Sequence, residues 1–373
     1  MRAVDDVIAA LATHAGPQLS WLVGEPCFEP PAELVDAFAR AAVSPSFRYA
    51  PRDGLPALRE VLAQRHGAEG HALAADQIVI TSGAKAGLLA LLATLLAPGD
   101  ELIHPQPCYP AYPAMASRLG ARPVAVVECG GGFAGWSKAV AEAIGPRTRA
   151  VVIASPSNPT GTTLDTTEAR ALVEQCRDRG IRLICDEAYV DFRFAPDRQI
   201  VPAAFDPDRT TVVQVRSASK SWAVCGWRVG WVAADASLVA RVARTHASLI
   251  NPASGPAQTA LCALPEVAAD FLGSACSSVA HRIDELRSTL RAAGMSVSQP
   301  EGGFYLWLPV TQQMESAGMS SAAEWCVEVV RRSGVGLWPG DDFGGTHHVR
   351  IAVTAPSDPD WSTSVEALTA VLS

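Results

Sequence analysis

Apolar and polar positions follow a repeating order between residues 76 and 234, where short β-rich runs are separated by longer runs with helical spacing. Helical runs such as 84–96 and 166–179 are followed by Pro-Gly or Gly, which commonly end helices. Strands that alternate with helices favour a mostly parallel sheet sandwiched by helices. The pattern predicts seven strands in this sheet, at residues 77–81, 101–104, 123–127, 150–154, 182–185, 212–216 and 229–233.

The pattern beyond residue 250 predicts a second, smaller α/β domain. A helix at 235–249 precedes it, and its own elements are helices at 268–293 and 322–332 with strands at 296–309 and 349–353. A chain of 39.1 kDa also exceeds the usual size of one compact core. We therefore expect an N-terminal segment that packs with the small domain, a large domain and a small C-terminal domain, at residues 1–48, 49–255 and 256–373.

Composition narrows the class of protein. Apolar residues make up 49% of the chain and charged residues 18%, which is typical of a globular enzyme. The net charge is −8 and no block of like charge occurs, so we expect neither a nucleic-acid surface nor a membrane patch. The nine cysteines form no C-x-x-C pair, and the first ten residues lack the apolar core of a signal peptide. The longest apolar stretch, 86–97, is too short to span a bilayer. These features favour a cytoplasmic location.

Lysine is the rare basic residue of this chain. Of the 30 basic residues only Lys85, Lys138 and Lys220 are lysines. Arginine stays protonated at any working pH, whereas a buried lysine can lose its proton and act as a nucleophile or a base. Lys220 follows a predicted strand in the run S-A-S-K-S-W, and the alternative is an ordinary surface lysine. Its surroundings favour a Schiff base to pyridoxal phosphate (PLP).

Further polar residues follow other predicted strands, and the carboxyl ends of parallel strands meet at one edge of a sheet. Asp186 begins D-E-A-Y and can pair with a protonated pyridine nitrogen, although such an aspartate is often a turn residue or helix cap. Tyr189 in the same motif can reach the ring hydroxyl, or belong to the core. Asn158 in N-P-T-G can donate to the ring oxygen, or simply form a turn.

A PLP enzyme also needs a phosphate cup and a clamp for the substrate carboxylate. The cup would combine backbone amides at the start of a helix with hydroxyls and a guanidinium: Gly83, Ala84, Lys85, Ser217, Ser219 and Arg228. Arg350 lies in an otherwise apolar strand, where an unpaired charge is costly. A substrate carboxylate or an internal salt bridge would satisfy it. The adjacent His347 and His348 lack ligand spacing, so no metal site is predicted.

The motifs together resemble those of the class I/II aminotransferases of PLP fold type I, the aspartate aminotransferase-like enzymes. The resemblance runs through G-E-P at 24–26, Y-x-x-x-x-G at 49–54, T-S-G-A at 81–84, P-C-Y-P at 107–110, N-P-T-G, D-E-A-Y, S-x-S-K and the two arginines. It implies amino-group transfer between an α-amino acid and a 2-oxo acid through a Lys220 aldimine. By the same resemblance Tyr109 would stack on the cofactor ring, Gly24 and Asn158 would line the substrate pocket, and Tyr49 would reach the phosphate of the neighbouring subunit of a homodimer.

Alternatives remain at this point. Related PLP enzymes perform C–S bond elimination or cyclisation on the same fold, and some PLP-binding modules are regulatory rather than catalytic. The amino donor is also open, because no second arginine matches a side-chain carboxylate clamp. Four aromatic residues are candidates for an apolar donor pocket or for the core: Trp21, Trp222, Phe304 and Tyr305.

Overall fold

Helices and strands alternate along most of the computed structural model, which describes residues 3–43, 48–128, 132–195, 200–354 and 361–372. The strands are β1 (Leu19–Ser20), β2 (Ile78–Thr81), β3 (Glu101–Gln106), β4 (Arg122–Val127), β5 (Thr148–Ala154), β6 (Arg182–Asp186), β7 (Val212–Ser217), β8 (Gly230–Ala233), β9 (Tyr305–Pro309), β10 (Val335–Gly336), β11 (Trp338–Pro339) and β12 (His348–Ala352). The helices are α1 (Ala3–Thr13), α2 (Ala32–Ala42), α3 (Pro56–Ala68), α4 (Ala84–Leu95), α5 (Ala111–Arg118), α6 (Trp136–Ala143), α7 (Thr166–Asp178), α8 (Ala218–Ser221), α9 (Ala236–Leu249), α10 (Gly255–Leu261), α11 (Phe271–Ala292), α12 (Thr311–Ser316), α13 (Ala322–Ser333) and α14 (Trp361–Leu372).

A seven-stranded sheet in the order β2-β8-β7-β6-β5-β3-β4 forms the centre of the large domain. The pairs from β4 across to β7 are parallel, and β8 is antiparallel to both of its neighbours. The mostly parallel α/β fold predicted from the sequence is therefore confirmed.

Alternate side chains of the buried strands enter different layers, as the two-residue period of a strand requires. In β5, Val152 packs in the cluster formed with α4, α5 and α9, whereas Val151 and Ile153 pack in the cluster formed with α6 and α7. Because both faces are covered, the strands read as continuous apolar runs. Most of their polar residues stand at or near the strand ends, whereas His104 in β3 and Gln214 in β7 lie inside a strand.

The connection between β7 and β8 explains the one reversal of direction. Ser217 at the end of β7 pairs with Gly230 at the start of β8, so residues 218–229 return the chain next to the strand it has just left. This return lies at the carboxyl ends of the parallel strands, and it contains Lys220.

The small domain contains the antiparallel sheet β11-β12-β9. Its core joins α11, α13 and α14 to α1 and to Trp21 and Leu22 of the N-terminal segment. The predicted strand at 296–309 was too long, since β9 begins only at Tyr305. Gly303 has a φ of +81°, and a Cβ at Gly302 would lie 2.4 Å from the carbonyl oxygen of Phe192, so the preceding residues form a turn against the large domain.

The predicted domain limits at residues 48/49 and 255/256 stay a prediction. Two helices that these limits place wholly or almost wholly outside the large domain, α2 and α10, nevertheless pack on its sheet. Helices α2 and α10 pack together with α3 against the side chains of β2 and β8, on the large-domain sheet.

Within the described residues no single helix is long and apolar enough to cross a membrane, although the bent pair 255–266 and 271–292 passes that test by length and composition.

Candidate active site

A cavity of about 470 Å³ lies at the carboxyl ends of β5, β6 and β7, and the small domain supplies one wall. It brings together residues that are far apart in the sequence. Most of the predicted site residues line it: Gly24, Ala84, Lys85, Tyr109, Asn158, Asp186, Tyr189, Ser217, Ser219, Lys220, Arg228 and Arg350. The volume lies within the usual range of cofactor and ligand sites.

Lys220 belongs to the single turn α8, which directly follows β7. Ser217 starts this turn as its N-cap, because its hydroxyl oxygen accepts the backbone N–H of Ser219 at 3.1 Å. The Nζ of Lys220 donates to the carbonyl oxygen of Gly24 at 2.7 Å and lies 3.7 Å from the Sγ of Cys225. The lysine is therefore held in the cavity rather than in solvent.

Asp186 ends β6 and faces the same cavity. Its Oδ2 accepts a hydrogen bond from the hydroxyl of Tyr112 at 2.9 Å, and its Oδ1 accepts from the backbone N–H of Ala188 at 3.2 Å. Burial raises the pKa of the Asp186 carboxyl. Within the described residues no cation pairs with it, so a protonated ring nitrogen in the cavity would supply the missing partner.

Arg350 on β12 is only 2% exposed. Its guanidinium donates to Oδ1 of Asn158 at 3.0 Å and to the carbonyl oxygen of Leu22 at 2.5 Å, and it lies 4.1 Å from the ring centre of Tyr305 and 4.3 Å from that of Trp338. Burial lowers its pKa. In the described part of the chain the guanidinium has no carboxylate partner and its Nε has no hydrogen bond.

The contact with Arg350 also fixes the amide of Asn158. The guanidinium only donates, so Oδ1 of Asn158 must face it and Nδ2 must point away. Asn158 is itself a cavity residue. Its amide N–H groups are thereby directed away from Arg350 and are available as donors.

Four tyrosines shape the remaining walls. The hydroxyls of Tyr189 and Tyr305 lie 2.5 Å apart, and their rings meet nearly edge to face. Tyr109 meets Tyr112 in the same way, with 5.6 Å between ring centres, and the Nζ of Lys85 lies 5.6 Å from the Tyr109 ring. Burial raises the pKa of both Tyr112 and Tyr189, so both keep their hydroxyl protons.

The predicted phosphate cup comes together at the start of α4. Gly83 precedes the helix with a φ of +86°, which favours glycine, and a Cβ there would lie 2.4 Å from the Arg228 guanidinium. Arg228 in turn donates to the carbonyl oxygen of Cys225 at 2.9 Å. Backbone amides, two serine hydroxyls and a guanidinium therefore surround one corner of the cavity, which is the chemistry that a phosphate group needs.

Tyr49 is the one predicted site residue that lies apart from this arrangement. Its side chain is 81% exposed, and it does not line the cavity. Of the four aromatic pocket candidates only Tyr305 lines the cavity, whereas Trp21, Trp222 and Phe304 are buried in the cores.

Several cavity residues were not predicted as part of the site, notably Tyr112, Cys225 and Trp338. Tyr112 stands three residues after Tyr109, on one face of the same turn, and this spacing is a signal that sequence reasoning can use. Trp338 follows the run V-G-L, and nothing local distinguishes it from a core residue. Its role depends on Arg350, which pairs opposite it between β11 and β12.

An ion-pair network lies directly behind the site and connects the segments that carry Asp186 and Lys220. It consists of Glu187, Arg216, Glu69, Arg65, Asp191 and Ser221, linked in that order by contacts of 2.6, 2.6, 3.0, 2.5 and 2.5 Å. Glu187 adjoins Asp186 and Ser221 adjoins Lys220. The network therefore fixes the two segments relative to each other through α3.

Two histidines extend this network, and with Glu69 they place possible ligand atoms within 4.8 Å of one another. His66 Nε2 accepts the indole N–H of Trp231 at 3.1 Å, so its proton lies on Nδ1, which faces Nδ1 of His71 at 3.2 Å. The Nε2 of His71 faces Glu69 at 3.2 Å. Each ring nitrogen has a protein partner, and we interpret the cluster as part of the network.

The residues present fit PLP. The cavity is large enough for the cofactor, Lys220 offers an amine, and Asp186 offers a carboxylate without a paired cation. At the phosphate cup, position 83 has room only for glycine, because a side chain there would meet the Arg228 guanidinium. The unpaired guanidinium of Arg350 leaves a place for a carboxylate on the opposite wall.

Comparisons with known proteins agree with this geometry. The profile of the family "Aminotransferase class I and II" matches residues 17–368. The arginine–pyruvate transaminase AruH of Pseudomonas aeruginosa is 32% identical over 342 residues, which cover 90% of this chain and 86% of that protein. The aspartate aminotransferase of Geobacillus stearothermophilus is 30% identical over 352 residues, with coverage of 92% and 87%. The structure of Thermus thermophilus aspartate aminotransferase with maleate superposes with a TM-score of 0.89 at 28% identity and covers 100% of this chain and 97% of that one.

Fold and cavity thus define a PLP-dependent transferase. The chain belongs to the class I and II aminotransferase family. It is an enzyme that carries out transamination with pyridoxal 5'-phosphate as its cofactor. The relatives act on amino acids and oxo acids, and the expectation of an aminotransferase is confirmed.

Proposed function

We propose that the cavity around Lys220 is the transamination centre and that its substrates are an α-amino acid and a 2-oxo acid. One observation carries the proposal. The amine of Lys220, the carboxylate of Asp186 and the guanidinium of Arg350 line one cavity, and the last two lack counter-ions within the described residues. Burying isolated charges is costly, so such groups indicate bound partners of opposite charge.

When bound, PLP supplies an aldehyde that condenses with amines and a ring that accepts electrons. Lys220 would hold the aldehyde, Asp186 would hold the ring nitrogen in its protonated form, and Tyr112 would keep Asp186 in place. The ring would lie against Tyr109. Asn158, through its free amide N–H, and Tyr189 would donate to the oxygen of the hydroxyl group on the cofactor ring.

The phosphate would be held by the amides of Ala84 and Lys85 together with Ser217, Ser219 and Arg228. Gly83, whose own N–H donates to the carbonyl oxygen of Thr81, leaves room for the Arg228 guanidinium. This corner carries one guanidinium and the positive end of α4, so a dianion is favoured there. Tyr49 is highly exposed, which suits a residue that acts in a second copy of the chain. We propose a homodimer in which the partner subunit's Tyr49 completes the cup.

Arg350 would hold the substrate carboxylate, with Asn158 and Gly24 beside it. Its fixed orientation between Tyr305 and Trp338 restricts how the substrate can lie. Once the substrate amine has replaced it on the aldehyde, the freed Nζ of Lys220 would be able to take up the proton from the substrate Cα. A base positioned in this way contributes about 10²–10⁴-fold to a rate.

We also propose that the enzyme works in the cytoplasm. All cysteines in the described ranges are unpaired thiols, and thiols persist in reducing compartments. The domain division at residues 48/49 and 255/256 remains part of the proposal.

The test is a screen of amino donors with 2-oxoglutarate and with pyruvate. The proposal predicts a 2-oxo acid from the donor and a new amino acid from the acceptor in equal amounts. Release of ammonia without a new amino acid would instead indicate elimination. The identity of the best donor would follow from the same screen.

A further inference from the structure

We propose that His246 is a positioning residue for the phosphate cup, because its imidazole holds the backbone of Ser82 directly before the cup begins. His246 lies on α9 and is not among the residues that line the cavity. Its Nε2 accepts the backbone N–H of Ser82 at 3.1 Å. The inference rests on the proposed function, since the cup matters only if it binds the phosphate of PLP.

The hydrogen bond defines the state of the imidazole. Nε2 accepts, so the ring is neutral and its proton lies on Nδ1. His246 is fully buried, and burial lowers its pKa, which favours this neutral form. Within the described residues Nδ1 has no hydrogen-bond partner. An apolar side chain would fill this part of the core without that cost, so the contact with Ser82 is what the histidine contributes.

Ser82 is held from a second side as well. Its hydroxyl donates to the carbonyl oxygen of Asn251, just beyond the end of α9, at 3.1 Å. The backbone N–H and the hydroxyl of Ser82 are therefore both used by α9 and the segment after it, and not by the cavity.

The next residues are placed as a consequence. The N–H of Gly83 donates to the carbonyl oxygen of Thr81 at 2.7 Å, and the carbonyl oxygen of Gly83 accepts from the hydroxyl of Thr81 at 3.1 Å. Ala84 and Lys85 belong to the first turn of α4. Their backbone N–H groups therefore have no acceptor within the helix. With Ser82 fixed, these two amides keep one direction, toward the cup.

Three variants separate the hydrogen bond from the packing. His246→Leu removes the acceptor and leaves the Ser82 N–H unpaired. His246→Gln restores an acceptor near the position of Nε2, and His246→Asn carries one on a side chain that is too short to reach it. Each apoprotein is titrated with PLP, with pyridoxal, which lacks the phosphate, and with inorganic phosphate. Thermal unfolding of each apoprotein confirms that it is folded.

We expect the Leu and Asn variants to bind PLP and inorganic phosphate about tenfold more weakly than the wild type, which corresponds to about 1.4 kcal/mol. Their affinity for pyridoxal should stay within about twofold, and the Gln variant should behave like the wild type. Equal loss for PLP and pyridoxal, or no loss for either ligand in the folded Leu and Asn variants, would overturn the inference. If the wild-type apoprotein itself bound no PLP, the proposed function would fail, and the inference with it.

Discussion

The amine of Lys220 donates a 2.7 Å hydrogen bond to the backbone carbonyl oxygen of Gly24, which lies on the N-terminal segment. Gly24 packs so closely on Tyr305 that a Cβ would lie 2.2 Å from the tyrosine hydroxyl. Only glycine lets this carbonyl approach the lysine. The N-terminal segment therefore forms a wall of the site and also orients its reactive group.

Replacement of Asp186 should reduce transamination strongly. Asp186→Asn keeps the shape of the side chain but removes its charge, and loss of one partner from a buried ion pair costs about 3–5 kcal/mol. We expect kcat/KM to fall by about 10²- to 10⁴-fold. Tyr112→Phe removes only one neutral-donor hydrogen bond to the same carboxylate, so it should cost about tenfold or less. Equal losses in both variants would contradict the role given to the charge.

Replacement of Arg350 should affect only substrates that carry a carboxylate. For Arg350→Met we expect kcat/KM for an amino acid to fall by about 10²–10³-fold, because a buried charged hydrogen-bond partner is lost. The matching primary amine without a carboxylate is the control, and its rate should change little. Steady-state kinetics with the two substrates measures the difference. A similar loss for the amine would show that Arg350 supports the fold rather than the carboxylate.

Glu128, which follows β4, makes the free energy of unfolding depend on pH between about 4.5 and 8. Within the described residues both of its carboxyl oxygens lack partners, and burial raises its pKa to about 8. The folded chain thus binds this proton more tightly than the unfolded chain, so stability falls as pH rises from about 4.5 toward 8.

Glu128→Gln should therefore raise the unfolding temperature more at pH 9 than at pH 5. Exposed Glu142 provides the matched control, and Glu142→Gln should show no such trend. Thermal unfolding followed by circular dichroism at the two pH values measures this. A constant difference between wild type and Glu128→Gln would exclude the buried, unpaired carboxyl.

Glu69 has the opposite effect, because it makes the free energy of unfolding fall as pH drops below about 4.5. Burial alone would raise its pKa, but the hydrogen bond from His71 and the charges of Arg216 and Arg65 outweigh burial and hold the pKa well below the ordinary 4.5. Its stabilisation is present above that value and is lost as pH falls toward the folded-state pKa.

Glu69→Gln should accordingly lower the unfolding temperature by several degrees at pH 7, and the difference from wild type should shrink below about pH 4.5. Glu328→Gln breaks a surface pair with the exposed Arg332 and serves as the control, with little effect expected. If both variants behaved alike, the ion-pair network would not be coupled as its contacts indicate.

Much of the fold was readable because both faces of the sheet are covered. Continuous apolar runs separated by helical spacing gave all seven strands, and the glycines after α7 and α11 marked helix ends. The reversal of β8 was not readable, because direction depends on the path of residues 218–229. The turn before β9 was missed because Phe192, which presses on Gly302, is remote in sequence.

The candidate site divides in the same way. Lys220, Asp186 and Asn158 follow strands directly, so their meeting at one sheet edge could be predicted. His246 and Trp338 act through residues more than ten positions away, Ser82 and Arg350, and no local pattern reveals such contacts.

The most direct test of the account is to locate the lysine that holds the cofactor. The chain has three lysines, Lys85, Lys138 and Lys220, so borohydride reduction of the PLP-loaded enzyme followed by peptide mapping gives an unambiguous answer. We predict that the label is found on Lys220 alone and that Lys220→Ala abolishes it. A label on Lys85 or Lys138, or a Lys220→Ala variant that is labelled as fully as the wild type, would contradict the account.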